Sequence, residues 1–226
     1  MSRNIASGDG RHTSGAHDYF VSHVSPQTGG KRMGNNVRIK VVGTGPLATQ
    51  LSAALSGRGH ETTGSAPYEA LVFAPWDPAL MVPRPIAELT DAEFDLAWQQ
   101  TMDAAVAACT EARTTFNGNG GAIVLTLPTT ALAGGDHYAH WAAAAEGVHI
   151  LTKSIARQWG PEGIAVNTLA VSPELVLADA VIAGPVSIAT PAVPDADPGA
   201  VVEFLCSTDA RNLAGQLLTV DGGLWM

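Results

Sequence analysis

The chain contains only two cysteines in 226 residues, and neither belongs to a ligand pattern. Cys109 and Cys206 stand alone in apolar, helix-like surroundings, whereas zinc sites place cysteine and histidine a few residues apart. One distant pair also does not make the dense disulfide framework of a small secreted protein. We therefore predict two reduced core thiols and no metal site.

Basic residues are scarce as well. The chain has 12 lysines and arginines against 21 aspartates and glutamates, a formal net charge of −9. Nucleic acids and anionic membranes select for basic surfaces, so neither is an expected partner. No apolar run approaches the roughly 20 residues of a membrane span, and the first residues lack the apolar core of a secretory signal. These absences predict a cytoplasmic protein.

Residues 1–35 are rich in Gly, Ser, His and Asn and show no apolar period, so we predict a disordered or extended leader there. Residues 36–226 alternate between strand and helix patterns, which predicts one α/β domain with a doubly wound parallel sheet. Strands are predicted at 37–42, 61–63, 70–75, 122–127, 164–169 and 217–220, and helices at 46–57, 90–116, 141–159 and 198–207.

The connection between the second and third predicted strands is unusually short. Only the six residues Gly64–Glu69 separate them, whereas a parallel crossover ordinarily takes a dozen or more. A Rossmann-like half places a further helix and strand at this point. We therefore predict that the sheet has lost one helix-strand unit after its second strand.

Four segments carry a resemblance to a known family. They are Ile86–Asp95, Leu151–Ser154, Gly163–Thr168 and Leu213–Gly223, the last similar to a Thr-Gly-Gln-x-x-x-Val-Asp-Gly-Gly signature. In this order and spacing they resemble the short-chain dehydrogenase/reductase (SDR) superfamily over residues 37–226. The resemblance implies a Rossmann-like fold and, in ordinary members, nicotinamide-dependent catalysis.

The catalytic residues of that family are missing from this chain. Alignment on the Leu-Thr-Lys-Ser segment puts Trp141 at the position of the family's tyrosine and Ala145 at that of its lysine. Pro128 takes the place of the serine, and Thr101 that of the structural asparagine. An indole does not relay a proton near neutral pH, and alanine has no charge that could lower a phenol pKa. We predict that the chain is inactive as a dehydrogenase by itself.

Two replacements for the lost groups are open to test. Thr129 and Thr130 follow Pro128 and would supply a hydroxyl only if their loop shifts. Asp136, Tyr138 and His140, with His137 between them, would form an acid–base cluster at a pocket mouth; the alternative is a polar turn before a helix.

The cofactor motif is degraded too. Gly43, Gly45 and Ala48 fit G-x-G-x-x-A between a strand and a helix, but Pro46 removes one backbone N–H donor. Glu61 stands near the place of a ribose-binding acid, or is only a surface charge at a strand end. We expect no cofactor, and keep NAD(P) as the alternative.

The resemblance implies that the long helix and the active-site helix pair between subunits as a four-helix bundle. Both helices are predicted in this chain. Our first hypothesis is a non-catalytic subunit that assembles with an intact SDR, or with itself as a homodimer or homotetramer. The alternatives are an NAD(P)-dependent oxidoreductase with unorthodox residues and a redox-independent cyclase, dehydratase or isomerase. Small residues that would allow close helix packing are Ala104, Ala105, Ala107, Ala108 and Ala142 to Ala145.

Overall fold

The computed structural model of the chain describes residues 36–177 and 197–222, so the predicted leader at 1–35 lies outside the described residues. Six strands form one parallel sheet in the order β2-β1-β3-β4-β5-β6, which confirms the predicted fold class. The order reverses between β1 and β3, because the chain adds β2 on one side of β1 and then continues on the other. The strands are β1 (Arg38–Val42), β2 (Glu61–Thr63), β3 (Ala70–Phe73), β4 (Gly121–Pro128), β5 (Ile164–Val171) and β6 (Leu217–Val220).

Helices cover both faces of this sheet, as in a Rossmann-like fold. Apolar side chains of α1 and α6 pack on one face, and those of α3 with much of α5 pack on the other. Every residue of β4 and β5 is buried, which explains why both strands are mostly apolar rather than alternating. The helices are α1 (Pro46–Gly57), α2 (Asp91–Trp98), α3 (Ala104–Phe116), α4 (Thr130–Ala133), α5 (Ala139–Trp159) and α6 (Pro198–Cys206).

The long helix predicted to end near Phe116 is present but interrupted. It begins with the predicted capping box: the Thr90 hydroxyl accepts from Glu93 N at 3.3 Å, and the Glu93 carboxylate accepts from Thr90 N at 3.0 Å. These bonds to Thr90, together with the Arg84 guanidinium, lower the pKa of Glu93 to about 2. A π-helical turn, Gln99–Asp103, then separates α2 from α3.

The short connection after β2 is explained by the register of the strands. Thr63 at the end of β2 pairs with Lys40, and Ala70 at the start of β3 pairs with Ile39. The chain therefore moves back by only one residue along the strands while it crosses β1, and six residues span that distance without a helix. Among residues 36–177 and 197–222 the sheet has six strands, and no helix or strand lies between β2 and β3, as predicted.

Both cysteines are buried in the core, in agreement with the sequence. Cys109 lies on α3 and Cys206 at the end of α6, and neither forms a disulfide. Burial raises the pKa of each thiol to about 12, so both stay protonated and unreactive at neutral pH.

Candidate functional site

The natural binding place in this fold is the crevice at the carboxyl ends of β1 and β3. Ligands of doubly wound sheets bind where the strand order reverses, and that reversal lies between these two strands. The glycine turn Gly43–Gly45 connects β1 to α1 at the same place. We call this space the switch-point crevice.

The glycine turn packs directly on the chain's own backbone. A Cβ atom added to Gly43 would overlap the carbonyl oxygen of Ala74, and one added to Gly45 would overlap that of Trp76. Ala48 lies behind the turn in the apolar core. The structure thus brings three of the predicted cofactor residues together. Because glycine has no side chain, however, the backbone of residues 74–76 packs directly against the turn.

Glu61 does not join them. It is the first residue of β2 and pairs with Arg38 at the amino end of β1, five residues before Gly43. At about 3.3 Å per residue, Glu61 and Gly43 are separated by about 16 Å along the sheet. This placement favours the interpretation of Glu61 as an exposed charge at a strand end.

Trp76 follows β3 at the edge of the switch-point crevice, where its backbone carbonyl lies against Gly45. Its side chain is completely buried. The indole Nε1 donates to the Thr126 carbonyl at 2.9 Å and lies 3.0 Å from the Thr126 hydroxyl, which donates to the Phe73 carbonyl at 2.9 Å. No pattern in the sequence indicates these hydrogen bonds, because Trp76 and Thr126 are 50 residues apart.

All four residues that replace the family's catalytic residues are buried. Trp141 and Ala145 are buried on α5 in the core, and Ala145 has no exposed surface. Pro128 ends β4 beside Val171. The hydroxyl of Thr101, inside the π-helical turn, donates to the Ala97 carbonyl at 2.6 Å and so remains within its own helix.

The three residues of the predicted acid–base cluster have different environments. The side chain of Asp136 is 71% exposed, and its carboxylate lies 3.0 Å from His137 Nδ1. Tyr138 and His140, in contrast, are buried, with exposed fractions of 2% and 3%. The turn therefore places one member in solvent and two in the core, and a shared catalytic role stays a prediction.

Two buried polar atoms near this turn have no hydrogen-bond partner among the described residues. They are the Thr129 hydroxyl, just beyond β4, and His140 Nδ1 at the start of α5. Burial is the largest influence on His140 and lowers the pKa of its imidazole. At neutral pH His140 is therefore an uncharged group.

This burial predicts a pH dependence of stability. An unfolded histidine takes up a proton near pH 6.5, but the folded pKa of His140 is lower, so the unfolded state binds more protons between the two values. The free energy of unfolding should fall below about pH 6.5, with a slope from this group of at most about 1.4 kcal/mol per pH unit. Urea unfolding between pH 7.5 and 5 should show a shallower dependence for His140→Leu. Equal slopes for His140→Leu and the wild type would contradict the prediction.

The family-like segments that survive stabilise the scaffold. The Asn167 side chain donates to the Leu213 carbonyl at 2.7 Å and accepts from Gln216 N at 3.0 Å, which fixes the loop before β6. The Lys153 ammonium donates to the Gly215 carbonyl at 3.2 Å. These contacts hold α5, β5 and β6 together and supply no reactive group to the crevice.

Comparison with known proteins identifies the family. A sequence model described as enoyl-(acyl carrier protein) reductase matches residues 73–225, more than half of the chain. The chain belongs to the SDR superfamily. An SDR of Armillaria gallica is 30% identical over 122 residues, which are 47% of this chain and 46% of the relative.

Two further similarities agree with this assignment. An L-rhamnose 1-dehydrogenase (NAD(P)(+)) of Sphingomonas sp. (strain SKA58) is 33% identical over 119 residues, which are 48% of this chain and 46% of the relative. The crystal structure of acetoin dehydrogenase from Enterobacter cloacae has a TM-score of 0.63 at 18% identity and covers 84% of this chain and 95% of its own. That structure supports the fold alone. The chain spans about half the length of the curated relatives it matches, 46% of both the Armillaria and the Sphingomonas protein.

Other classes of site find no support in the described part of the chain. Residues 36–177 and 197–222 contain no group of three or more His, Cys, Asp or Glu side chains placed to hold a metal ion. In the same residues, no helix has the length and apolarity needed to cross a membrane.

Proposed function

We propose that this SDR chain is a non-catalytic subunit that assembles with a catalytically intact member of the superfamily. One observation carries the proposal: the positions of the family's tyrosine and lysine, Trp141 and Ala145, lie buried in the apolar core. Proton relay needs an ionisable group that reaches the substrate, and neither residue is such a group.

The candidates for a replacement pair among residues 36–177 and 197–222 are Tyr138, His140 and Lys153. Tyr138 belongs to the same buried core cluster, and the lowered pKa of His140 leaves its imidazole uncharged at neutral pH. Lys153 is engaged with the Gly215 carbonyl, two turns along α5 from Ala145. The chain has the scaffold of the family without its proton-transfer groups, which favours a role in assembly.

An apolar surface suits such a role. Trp98, Met102 and Val106 follow each other at four-residue steps along α2, the π-helical turn and α3, and Gly147 of α5 lies against Met102. Ile150 comes one turn after Gly147 and is 57% exposed, while Trp98 and Val106 are each about two-fifths exposed or more. We call Trp98, Val106 and Ile150 the outer helical face. Exposed apolar groups on neighbouring helices are typical of protein interfaces.

The alanines predicted for close helix packing divide into three sets. Ala105, Ala108, Ala144 and Ala145 are buried within the chain's own core, Ala104 and Ala142 are half-buried, and Ala107 and Ala143 are exposed. The buried set packs inside the chain, and only Ala107 and Ala143 are fully open to a partner. Close helix contact with a partner therefore depends on fewer alanines than the sequence suggests.

Affinity purification from the native cells, followed by mass spectrometry, tests the proposal. We expect a stoichiometric SDR that retains Tyr-x-x-x-Lys. Recovery of this chain by itself, as a monomer or homo-oligomer, would contradict assembly with an intact partner.

Charged residues on the outer helical face should strongly reduce recovery of the intact SDR partner. In the double variant Val106→Glu, Ile150→Glu, we expect capture of the partner to fall at least about tenfold, because two carboxylates would be buried without counter-charges. The matched control is Phe204→Glu on α6, a residue of similar exposure on the other side of the sheet. Equal losses in both variants, or none in the first, would place the interface elsewhere.

A nicotinamide-dependent activity is the second candidate, because one matched relative is named for its use of NAD(P)+. The expectation that this chain takes no cofactor therefore stays a prediction. Calorimetry with NADH and NADPH up to millimolar concentration decides between the two candidates. Saturable binding of either dinucleotide would favour the oxidoreductase.

A further inference from the structure

We propose that Trp76 is a built-in occupant of the switch-point crevice, and that the space it fills binds a planar, N–H-bearing heteroaromatic molecule when this side chain is removed. The chain thereby supplies its own aromatic ligand and completes the crevice without a bound molecule. This inference goes beyond the proposed function and concerns the isolated chain, so it does not depend on any partner.

The segment that carries Trp76 is firmly anchored. Directly after β3, the N–H of Ala74 donates to the Val42 carbonyl of β1 at 2.7 Å. Just beyond, the Asp77 carboxylate accepts from Ala79 N at 2.9 Å, and its carbonyl accepts from Met81 N at 3.1 Å. Bonds on both sides of Trp76 thus fix the course of the backbone that carries the indole.

The indole is recognised in the way a protein recognises a ligand. Nε1 donates to the Thr126 carbonyl at 2.9 Å and lies 3.0 Å from the Thr126 hydroxyl oxygen. Because that hydroxyl donates its own proton to the Phe73 carbonyl at 2.9 Å, its lone pair is free to accept from the indole. Small-molecule sites typically have a few convergent polar groups inside an apolar enclosure.

The backbone of Trp76 contacts the glycine turn, and its side chain belongs to the apolar core. The carbonyl oxygen of Trp76 lies where a side chain at position 45 would begin, so Gly45 allows the backbones to touch. Leu47 of α1 and Met81 belong to the same buried core cluster as Trp76. Because the Trp76 side chain is completely buried and bonded to Thr126, we expect removal of the ring to leave an enclosed space beside Thr126.

Chemical rescue of Trp76→Ala tests the proposal. The substitution should lower Tm by roughly 6–20 °C through loss of a fully buried ring. Indole, at about ten times its dissociation constant, should then raise Tm by roughly 3–6 °C, because it binds only the folded state. Indene has nearly the same shape but no N–H, and at equal concentration should raise Tm by less than half as much.

Two controls assign the effect to this space. Trp76→Phe keeps most of the volume and should show no indole-dependent change in Tm. Thr126→Val, added to Trp76→Ala, removes one acceptor and should reduce the preference for indole over indene. The proposal is overturned if indole leaves the Tm of folded Trp76→Ala unchanged, or if indene stabilises it equally. If this variant does not fold by itself, growth with indole should restore soluble protein, and failure to do so would likewise overturn it.

Discussion

Ala145→Lys is expected to destabilise the protein rather than to restore a dehydrogenase. Ala145 has no exposed surface, and its neighbours in the core are apolar, among them Trp141. A lysine there would bury an ammonium group without a counter-charge, which we expect to lower the free energy of unfolding by roughly 3–5 kcal/mol. Urea unfolding at pH 7, followed by circular dichroism, measures this loss.

Ala143→Lys is the matched control for this prediction. It lies two residues earlier on α5 and is exposed, so the same substitution should change the free energy of unfolding by no more than about 0.5 kcal/mol. Desolvation should also lower the folded-state pKa of a lysine at 145 below about 10.4, so the unfolded state would bind more protons, and the deficit should shrink as pH rises toward 10.

The combination Trp141→Tyr, Ala145→Lys gives the sharpest outcome. If it is folded and reduces carbonyl substrates with NADPH, the crevice still admits the dinucleotide, and the absent Tyr and Lys alone account for the inactivity that we propose for the native chain. We expect no such activity, because the lysine position faces the core and residues 74–76 lie against the glycine turn.

The fold could be predicted from the sequence because its signals are local. Apolar runs mark the buried strands, and the Thr90–Glu93 capping box marks the start of the long helix, with the bonds that the pattern implies. The missing helix-strand unit was visible as a distance along the chain, since only six residues separate β2 from β3. None of these inferences needs knowledge of contacts between distant residues.

The candidate site could be predicted only in part, because its properties depend on such contacts. Spacing predicts that Gly43 and Gly45 form a glycine turn. It does not indicate that these glycines pack against the backbone of residues 74–76. The distance along the sequence from Gly43 suggests Glu61 as a ribose ligand. Strand register instead places Glu61 at the amino ends of the strands, away from Gly43 at their carboxyl ends. The hydrogen bonds of Trp76 to Thr126 join residues 50 positions apart, a distance at which no sequence pattern operates.

Gly45→Ala should also be strongly destabilising, by about 3 kcal/mol, because the new Cβ atom would overlap the carbonyl oxygen of Trp76. Rotation of a side chain cannot relieve a clash between two backbones, so the 74–77 segment or the start of α1 must move. Gly45 has ordinary extended backbone angles, φ −78° and ψ 176°, so the expected loss reflects packing and not conformational strain. Thermal unfolding of the isolated chain measures it, and a fall in Tm of roughly 6–12 °C is expected.

Gly57→Ala is a control that should change stability in the opposite direction. Gly57 is the last residue of α1, at the other end of the helix, and a Cβ atom there would meet nothing within 4 Å. Alanine lowers the entropy of the unfolded chain and favours helix, so this variant should gain about 0.4–1 kcal/mol. If Gly45→Ala were tolerated as well as Gly57→Ala, the glycine turn would not be in close contact with residues 74–76. The crevice would then have room for the pyrophosphate of a dinucleotide, and the oxidoreductase would become the better hypothesis.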